Sequence, residues 1–123
     1  YEARVFGNIK EDNGFIDLPL IVDWPNRPLQ KIDAKEGKSA LTHWQVLDRE
    51  GDVTRVALMP ETGRTHQLRV HMMSLGHTIL GDRFYGNVAE INLANELQLH
   101  AKDLMIFHPK NGKKITFKAP LPF

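Results

Sequence analysis

With 123 residues, 41% of them hydrophobic, the chain is long enough for one domain with a core and too short for two. It has no cysteine, which excludes a disulfide scaffold and a thiolate metal site and favours the cytoplasm. No apolar run approaches the roughly 20 residues of a membrane span, which excludes a transmembrane helix. The net charge is +1, but residues 62–123 hold eight basic and four acidic side chains, against eight and eleven in residues 1–61. A basic half of this kind is compatible with a phosphate-bearing partner.

The first part of the chain predicts short strands. Residues 1–6 alternate apolar and polar side chains, the period of a half-buried strand, and this pattern stops at Gly7. Residues 14–21 predict a second strand that Pro19 interrupts, so we expect it at a sheet edge or as an irregular extension. Two prolines in residues 23–28 predict a loop there.

A hairpin follows. Residues 39–47 and 53–59 are predicted to pair across a turn at residues 49–52, which contains Gly51. Alternation along each arm places one set of side chains on a shared face. This set is Thr42, Trp44 and Val46 on the first arm and Thr54, Val56 and Leu58 on the second.

Residues 65–75 predict a helix. Its buried stripe is expected to be Leu68, Met72 and Leu75, which recur at helical spacing. Thr62 is the expected N-cap, and Gly76 is expected to adopt the left-handed conformation just after the last turn.

The last part of the chain predicts a short helix at residues 90–97 and a strand pair, residues 99–107 with 114–118, joined across an Asn-Gly turn. The order of strands, helix and strands favours an α+β fold. We expect a mostly antiparallel mixed sheet with a helix packed on one face.

The segment 62–71 carries the main functional signal. A helix N-terminus presents unpaired N–H groups and a partial positive charge, which favour an anion. Arg64 is predicted in the first turn, where the helix dipole disfavours a cation, so its position requires another reason. Arg69 is predicted beside the buried stripe, and a half-buried arginine usually has a carboxylate partner. The alternative interpretation is a solvated helix with incidental donors.

Other chemistries are less well supported. His66 and His71 are five residues apart and therefore on different faces of a helix, so no metal site is expected and a zinc hydrolase is the weaker hypothesis. Asp82 is interpreted as a turn or cap residue. Trp24, beside Asn26 and Arg27 in a proline-rich loop, suits stacking on bases of single-stranded or loop RNA.

On these residues the chain resembles the RluA family of pseudouridine synthases. Residues 63–71 fit the motif G-R-[TS]-H-Q-[LI]-R-x-H, and residues 76–86 fit the block that follows it. Tyr1 and residues 3–7 resemble the family's Y-x-A-x-V-x-G strand. One departure is Thr78, where the family usually has proline. The resemblance covers essentially the whole chain.

The resemblance implies isomerisation of uridine to pseudouridine in large-subunit rRNA and in a tRNA stem-loop, by a monomer without metal or cofactor. The target base would be flipped out of the RNA. Arg69 matches the arginine that pairs with the nucleophilic aspartate, and Tyr1 matches the tyrosine that stacks on the target base. The remaining candidate RNA-binding residues are Trp24, Asn26, Arg27, Arg64, Thr65, His66 and Gln67. Of these, Arg64, His66 and Gln67 would lie near RNA phosphate or help to hold the start of the helix.

The family's H-R-L-D-x-x-T-S-G motif, which supplies that aspartate, is absent, since none of the aspartates in the chain follows His-Arg-Leu. We therefore expect residues 1–123 to be the C-terminal portion of a single catalytic domain, with the nucleophile in an N-terminal part before Tyr1. The 123 residues alone are then expected to be inactive. The alternative is a non-catalytic RNA-binding module.

Overall fold

The computed structural model describes residues 1–87, 94–101, 103–107 and 114–118, the last two ranges by their backbone. The described elements, in chain order, are β1 (Glu2–Phe6), β2 (Asn13–Asp17), β3 (Leu20–Val22), a 3-10 helix (Trp24–Asn26), β4 (Gln30–Ile32), β5 (Leu41–Glu50), β6 (Val53–Pro60), α1 (Gln67–Ser74), β7 (Leu99–His100), β8 (Asp103–Phe107) and β9 (Lys114–Lys118). None of the helical segments among these residues has the length and apolarity that crossing a bilayer requires.

A five-stranded sheet with the order β2-β5-β6-β1-β7 forms the body of the fold, and each neighbouring pair in it is antiparallel. Its longest pair is the predicted hairpin β5–β6, which turns at Gly51 with a φ of 72°. β2 lies at an edge, as Pro19 predicted, and the chain resumes beyond the proline as β3. β3 and β4 form a separate two-stranded hairpin whose connection is the 3-10 helix, so residues 23–28 are the predicted loop.

The core lies on one face of this sheet, and the hairpin prediction of which side chains face it is confirmed. Trp44 is 4% exposed, and Val56 and Leu58 are 0% exposed, because alternate residues of an antiparallel strand point to the same side. α1 contacts β4, β5 and β6 and adds Leu68 and Met72 to the cluster. Complete burial of one such side chain contributes roughly 1.5–3 kcal/mol.

The helix differs from its prediction at both ends. It runs over Gln67–Ser74 rather than residues 65–75, because His66 has a left-handed backbone with a φ of 55° and cannot continue a right-handed turn. Thr62 is therefore not the N-cap; its hydroxyl donates to Gln67 Oε1 over 2.6 Å instead of to a helix N–H. Leu75 was predicted in the buried stripe, but it is 37% exposed because it lies beyond the last helical residue.

The predicted left-handed glycine after the helix is confirmed. Gly76 has a φ of 90°, its N–H donates to the carbonyl of Met73, and His77 N–H donates to the carbonyl of Met72. These two bonds are the Schellman pattern, which satisfies carbonyls that the helix end leaves unpaired. The turn sends the chain back to β1, where Ile79 bridges Val5.

The end of the chain follows the prediction in part. β8 and β9 form the predicted antiparallel pair, and β7 joins the five-stranded sheet beside β1. The predicted helix at residues 90–97 is wrong over residues 94–97, which form a bend, and its residues 90–93 lie outside the described residues. The predicted Asn-Gly turn also lies outside them.

Candidate active site

An open cleft of about 300 Å³ lies where β1 and β6 meet the turn before α1. Tyr1 and Arg69, the two residues predicted to be catalytic, both line it, together with the apolar side chains of Leu68 and Leu99. Tyr1 is held at its backbone, since its carbonyl accepts from Leu58 N over 2.8 Å and its amino group donates to Leu58 O over 3.0 Å. Its side chain is 48% exposed, so the ring is accessible to a ligand in the cleft.

Arg69 is held at its edge by Asp82. The guanidinium makes a bidentate pair, with Nε to Oδ2 at 3.0 Å and Nη2 to Oδ1 at 2.6 Å. The Arg69 side chain is only 17% exposed and that of Asp82 is 0% exposed. Removing one partner from a buried pair typically costs about 3–5 kcal/mol, because the other charge stays buried without compensation.

Asp82 also fixes the aromatic wall against which Arg69 packs. Its Oδ1 accepts the N–H groups of Phe84 over 3.0 Å and Tyr85 over 3.2 Å, which closes a tight turn. Both rings of that turn face the guanidinium, whose carbon lies 4.9 Å from the Phe84 ring centroid and 5.5 Å from that of Tyr85. The Asp82 carboxylate therefore orients the Arg69 guanidinium in two ways. It binds the edge of the group directly, and it holds the turn whose two rings pack against the face of the group.

The prediction that Arg69 has a carboxylate partner is confirmed within the described residues, whereas its pairing with a nucleophilic aspartate outside the chain stays a prediction. The partner is Asp82, which was predicted only as a turn or cap residue and here does both. The bidentate bonds engage Nε and Nη2 and leave the Nη1 donors outside the pair with Asp82. A second anionic group could therefore reach this guanidinium from the cleft.

His66 joins the cleft to the β3–β4 hairpin. Its Nδ1 lies 2.6 Å from the hydroxyl of Tyr85, and that hydroxyl accepts the N–H of Gln30 over 3.0 Å. The hydroxyl oxygen has two acceptor positions and one donor, so the tautomer of His66 sets which of the two groups donates in this bond. Burial and the nearby charge of Arg69 lower the pKa of His66, and burial raises the pKa of Tyr85. Both shifts favour the neutral groups that this bond requires.

Gln67, expected either to contact RNA or to hold the start of the helix, is 3% exposed and fits the second expectation. Its Oε1 accepts from the Thr62 hydroxyl over 2.6 Å and from Arg64 N over 3.1 Å. Its Nε2 donates to Leu41 O and to Thr42 Oγ1, each over 3.0 Å. All four hydrogen-bonding positions of the amide are filled, so it has no capacity left for a ligand.

The same bonds continue to His71, which sequence reasoning had considered only as a metal ligand. His71 is fully buried; its Nε2 lies 2.9 Å from the carbonyl of Leu18 and its Nδ1 lies 2.8 Å from Thr42 Oγ1. The carbonyl can only accept, so Nε2 carries the proton and Nδ1 accepts from Thr42. Burial lowers the pKa of His71, which favours the neutral ring. Spacing along the sequence gives no signal for this contact, because its partners, Thr42 of β5 and Leu18 between β2 and β3, are distant along the chain.

The remaining predicted RNA-binding residues lie in two further places. Arg64 and Thr65 line a second cleft of about 420 Å³ beside β3 and β4, and Arg64 lines both clefts. Arg64 Nε donates to Ser39 O over 2.9 Å, which is the reason for its position before the helix. Trp24, Asn26 and Arg27 lie at the tip of the β3–β4 hairpin, outside the lining of either cleft.

The hairpin tip presents an aromatic and a cation together. Trp24 is 61% exposed, and the guanidinium carbon of Arg27 lies 4.6 Å from its ring centroid. Asn26 Nδ2 donates to Asp23 Oδ2 over 3.0 Å, which stabilises the turn. Within the parts of the chain that the structure describes, the histidines and carboxylates form no group of three that could hold a metal ion.

Comparisons with known proteins agree on one family. The sequence profile described as RNA pseudouridylate synthase matches residues 1–74. The chain is 54% identical over 124 residues to the dual-specificity RNA pseudouridine synthase RluA of Yersinia pestis, with 100% of this chain and 60% of the relative covered. It is 53% identical to the RluA of Escherichia coli (strain K12), with 100% of this chain and 57% of that relative covered. The chain therefore spans less than two thirds of the length of these curated relatives.

The solved structures give the same result for the fold. A human protein described as RNA pseudouridylate synthase domain containing 1 superposes with a TM-score of 0.82 at 34% identity, covering 99% of this chain and 54% of the other. Human RNA pseudouridylate synthase domain containing 4 superposes with a TM-score of 0.73 at 24% identity, covering 98% and 56%. The predicted α+β fold and the resemblance to this family are both confirmed.

Proposed function

The chain belongs to the RNA pseudouridylate synthase family, and on that premise we propose that it is part of an enzyme that isomerises uridine to pseudouridine in RNA. In this reaction the bond from the ribose C1′ to N1 of uracil breaks, and C1′ bonds to C5 of the same base. The C5 hydrogen leaves as a proton, and N1 gains one. No electron is gained or lost overall, so no redox cofactor is required.

The proposal assigns the first cleft to the target base. Its volume of about 300 Å³ suits a single flipped nucleobase, and its lining combines an exposed tyrosine ring with apolar side chains. Tyr1 would stack on the base, and the apolar wall would keep water from the reacting C1′.

The single observation that carries the proposal is the geometry of Arg69. Arg69 lines the same cleft as Tyr1, and Asp82 engages only one edge of its guanidinium. We propose that the other edge holds the nucleophilic carboxylate, which comes from sequence outside these 123 residues. Asp82 already neutralises the charge of Arg69. Arg69 would therefore orient the nucleophilic carboxylate and keep it ionised, but would stabilise it less than an unpaired arginine. Full stabilisation by an unpaired charge would weaken the attack of the carboxylate.

RNA contact in this proposal comes from the residues around the two clefts and from the hairpin tip. Arg64, which lines both clefts, would meet a phosphate, with Thr65 and His66 beside it. Trp24 and Arg27 would stack on an unpaired base. Gln67 would support this surface rather than touch RNA, because its amide is fully used within the protein.

The substrate class follows from the relatives. They are named dual-specificity enzymes, which supports substrates in two kinds of RNA, and we propose large-subunit rRNA and a tRNA stem-loop. We also propose that the assembled enzyme acts as a monomer. The absence of cysteine suits the reducing cytoplasm, the expected location.

The test is a chimera in which the portion of the Escherichia coli RluA that precedes the match is joined to Tyr1 of this chain. We expect the chimera to release tritium from a stem-loop labelled at C5 of uridine, and the 123 residues alone to release none. Arg69→Ala should lower kcat about 100-fold or more, with the Kd for RNA changed less than about threefold.

Two outcomes would contradict this function. Turnover by the 123 residues alone would show that the chain houses its own nucleophile. A folded chimera that binds the stem-loop, with salt-dependent affinity reduced by Arg69→Ala, and yet releases no tritium would favour the alternative, a non-catalytic RNA-binding module.

A further inference from the structure

Tyr85 is the point at which three separate parts of the structure meet. Its hydroxyl accepts the N–H of Gln30, the first residue of β4, and is hydrogen-bonded to Nδ1 of His66 on the cleft wall. Its ring lies 5.5 Å from the guanidinium carbon of Arg69. The residue thus contacts the β3–β4 hairpin, the turn before α1 and the arginine of the cleft at once.

These contacts leave the Tyr85 side chain little freedom. Asp82 Oδ1 accepts its backbone N–H over 3.2 Å, so the same carboxylate fixes the tyrosine backbone and the edge of Arg69. The two hydroxyl bonds fix the far end of the ring. A displacement of the hairpin at Gln30 would therefore move the ring that forms one wall beside Arg69, or break its hydroxyl bond.

The hairpin that reaches Tyr85 is also the one that carries the exposed Trp24–Arg27 pair, with Trp24 61% exposed at its tip. A ligand that stacks on this tip restrains the hairpin. Since the hairpin donates to Tyr85 through Gln30, the restraint reaches the tyrosine ring and from there Arg69.

We propose that Tyr85 is a positioning residue that couples RNA bound at the hairpin tip to the orientation of Arg69. This inference rests on the proposed function and goes beyond it. It proposes that Tyr85, a residue outside the cleft lining, links substrate binding to the rate of the chemical step. The engaged hairpin would hold Tyr85, and Tyr85 would keep the guanidinium of Arg69 in its orientation at the cleft.

The informative substitution is Tyr85→Phe, which keeps the ring beside Arg69 and removes both hydroxyl bonds. The chain offers a matched control in Thr54→Val. The Thr54 hydroxyl also makes two bonds: it donates to Gly7 O over 2.8 Å and accepts the backbone N–H of Ile9 over 3.1 Å. It lies at the opposite end of the sheet core, away from the cleft lining, so the two variants lose comparable bonds and differ in their relation to Arg69.

In the chimera we expect Tyr85→Phe to lower kcat about tenfold with KM changed less than about twofold, and Thr54→Val to leave both within about twofold. Trp24→Ala should lower kcat and raise KM when Tyr85 is present, whereas in the Tyr85→Phe background it should change only KM. The double variant then loses less than the product of the two single losses. Losses that multiply, or equal kcat values for Tyr85→Phe and Thr54→Val, would overturn the coupling.

A second measurement does not depend on activity. The Nε–H of Arg69 donates to Asp82 over 3.0 Å, and its hydrogen exchange can be followed by NMR in the 123-residue chain. Tyr85→Phe should speed this exchange about tenfold and Thr54→Val should not, although both lower the free energy of unfolding. Equal exchange in the two variants would overturn the positioning role. A chimera without activity would count against the proposed function, whereas the exchange rates would still decide the role of Tyr85.

Discussion

The hairpin β5–β6 and the segment of residues 62–85 are equally well buried in places, but they are stabilised differently. The inner face of the hairpin is mainly apolar, with Val56 and Leu58 0% exposed. The segment buries polar groups at the same depth, including His71 and Asp82, and satisfies each with directed bonds. Apolar burial depends on area and tolerates exchange, whereas a buried polar group requires its particular partner.

The largest expected effect lies in the second region. Asp82→Ala should lower the free energy of unfolding by about 3–5 kcal/mol, because it leaves the guanidinium of Arg69 buried without its partner. Adding Arg69→Met should restore much of that stability, because the orphaned charge is removed. Urea denaturation of the two single variants and the double variant measures the coupling.

Two independent, additive losses in that cycle would show that the pair does not act as a unit. The proposed activity would distinguish stability from function, since the double variant should be stable and inactive in the chimera. If the double variant recovered both stability and activity, the chemistry would not depend on Arg69.

The next prediction exchanges one residue in each region for methionine. Gln67 is 3% exposed and Leu58 is 0% exposed, and methionine is close to both in volume. Gln67→Met should cost about 2–4 kcal/mol, because the Thr62 hydroxyl, Arg64 N and Leu41 O lose their bonds to the amide. Leu58→Met should cost less than about 1.5 kcal/mol. Equal costs, measured as free energies of unfolding, would refute the distinction between the two regions.

A smaller effect depends on pH through His71, whose bond to Thr42 connects α1 with the hairpin. Burial lowers the pKa of His71 in the folded chain, although its bond to Leu18 O and the charge of Asp17 oppose the shift. Below about pH 6.5, the ordinary value for histidine, the unfolded chain therefore binds more protons than the folded chain. The stability is fully present above that pH and is lost as the pH falls below it. His66 acts in the same direction.

Free energies of unfolding at neutral and at mildly acidic pH measure this loss. His71→Gln is the matched variant, because an amide can still bond to Leu18 O but does not titrate in this range; its pH dependence should be shallower. A stability that stays constant or rises on acidification would contradict the proton assignment made from the two bonds of the ring.

The sequence predicts the apolar face of the hairpin almost completely. For the polar segment it predicts the type of partner that a buried group requires, but not which residue that partner is. Alternation places Trp44, Val56 and Leu58 on one face because a strand has a period of two, which is a local property. That Arg69 requires a carboxylate is also readable, since burying a lone cation is costly. That the carboxylate is Asp82 depends on a tertiary contact across thirteen positions of the chain, which no periodicity specifies.

The helix boundary failed for a related reason. Residue propensities predicted a helix over residues 65–75 with Thr62 as its N-cap, but the turn is fixed by Gln67, whose amide reaches Thr42 of a distant strand. These bonds hold His66 in a left-handed conformation, with a φ of 55°, that its own preferences do not select. Tertiary bonds thus override local preference where the cleft is built.

The smallest expected effect tests whether the hairpin and the segment of residues 62–85 respond equally to strain in the backbone. Gly51 in the hairpin turn and Gly76 after α1 have φ values of 72° and 90°, and a Cβ added at either meets nothing within 4 Å. Each alanine substitution should therefore cost only the left-handed backbone penalty, about 1–2 kcal/mol, regardless of region. Gly63→Ala is the control, because Gly63 also has open space but no left-handed φ, and it should change stability by less than about 0.5 kcal/mol. A clearly larger cost at Gly76 than at Gly51 would mean that the polar region amplifies even a purely local strain, because its bonds, unlike apolar contacts, do not tolerate small displacements.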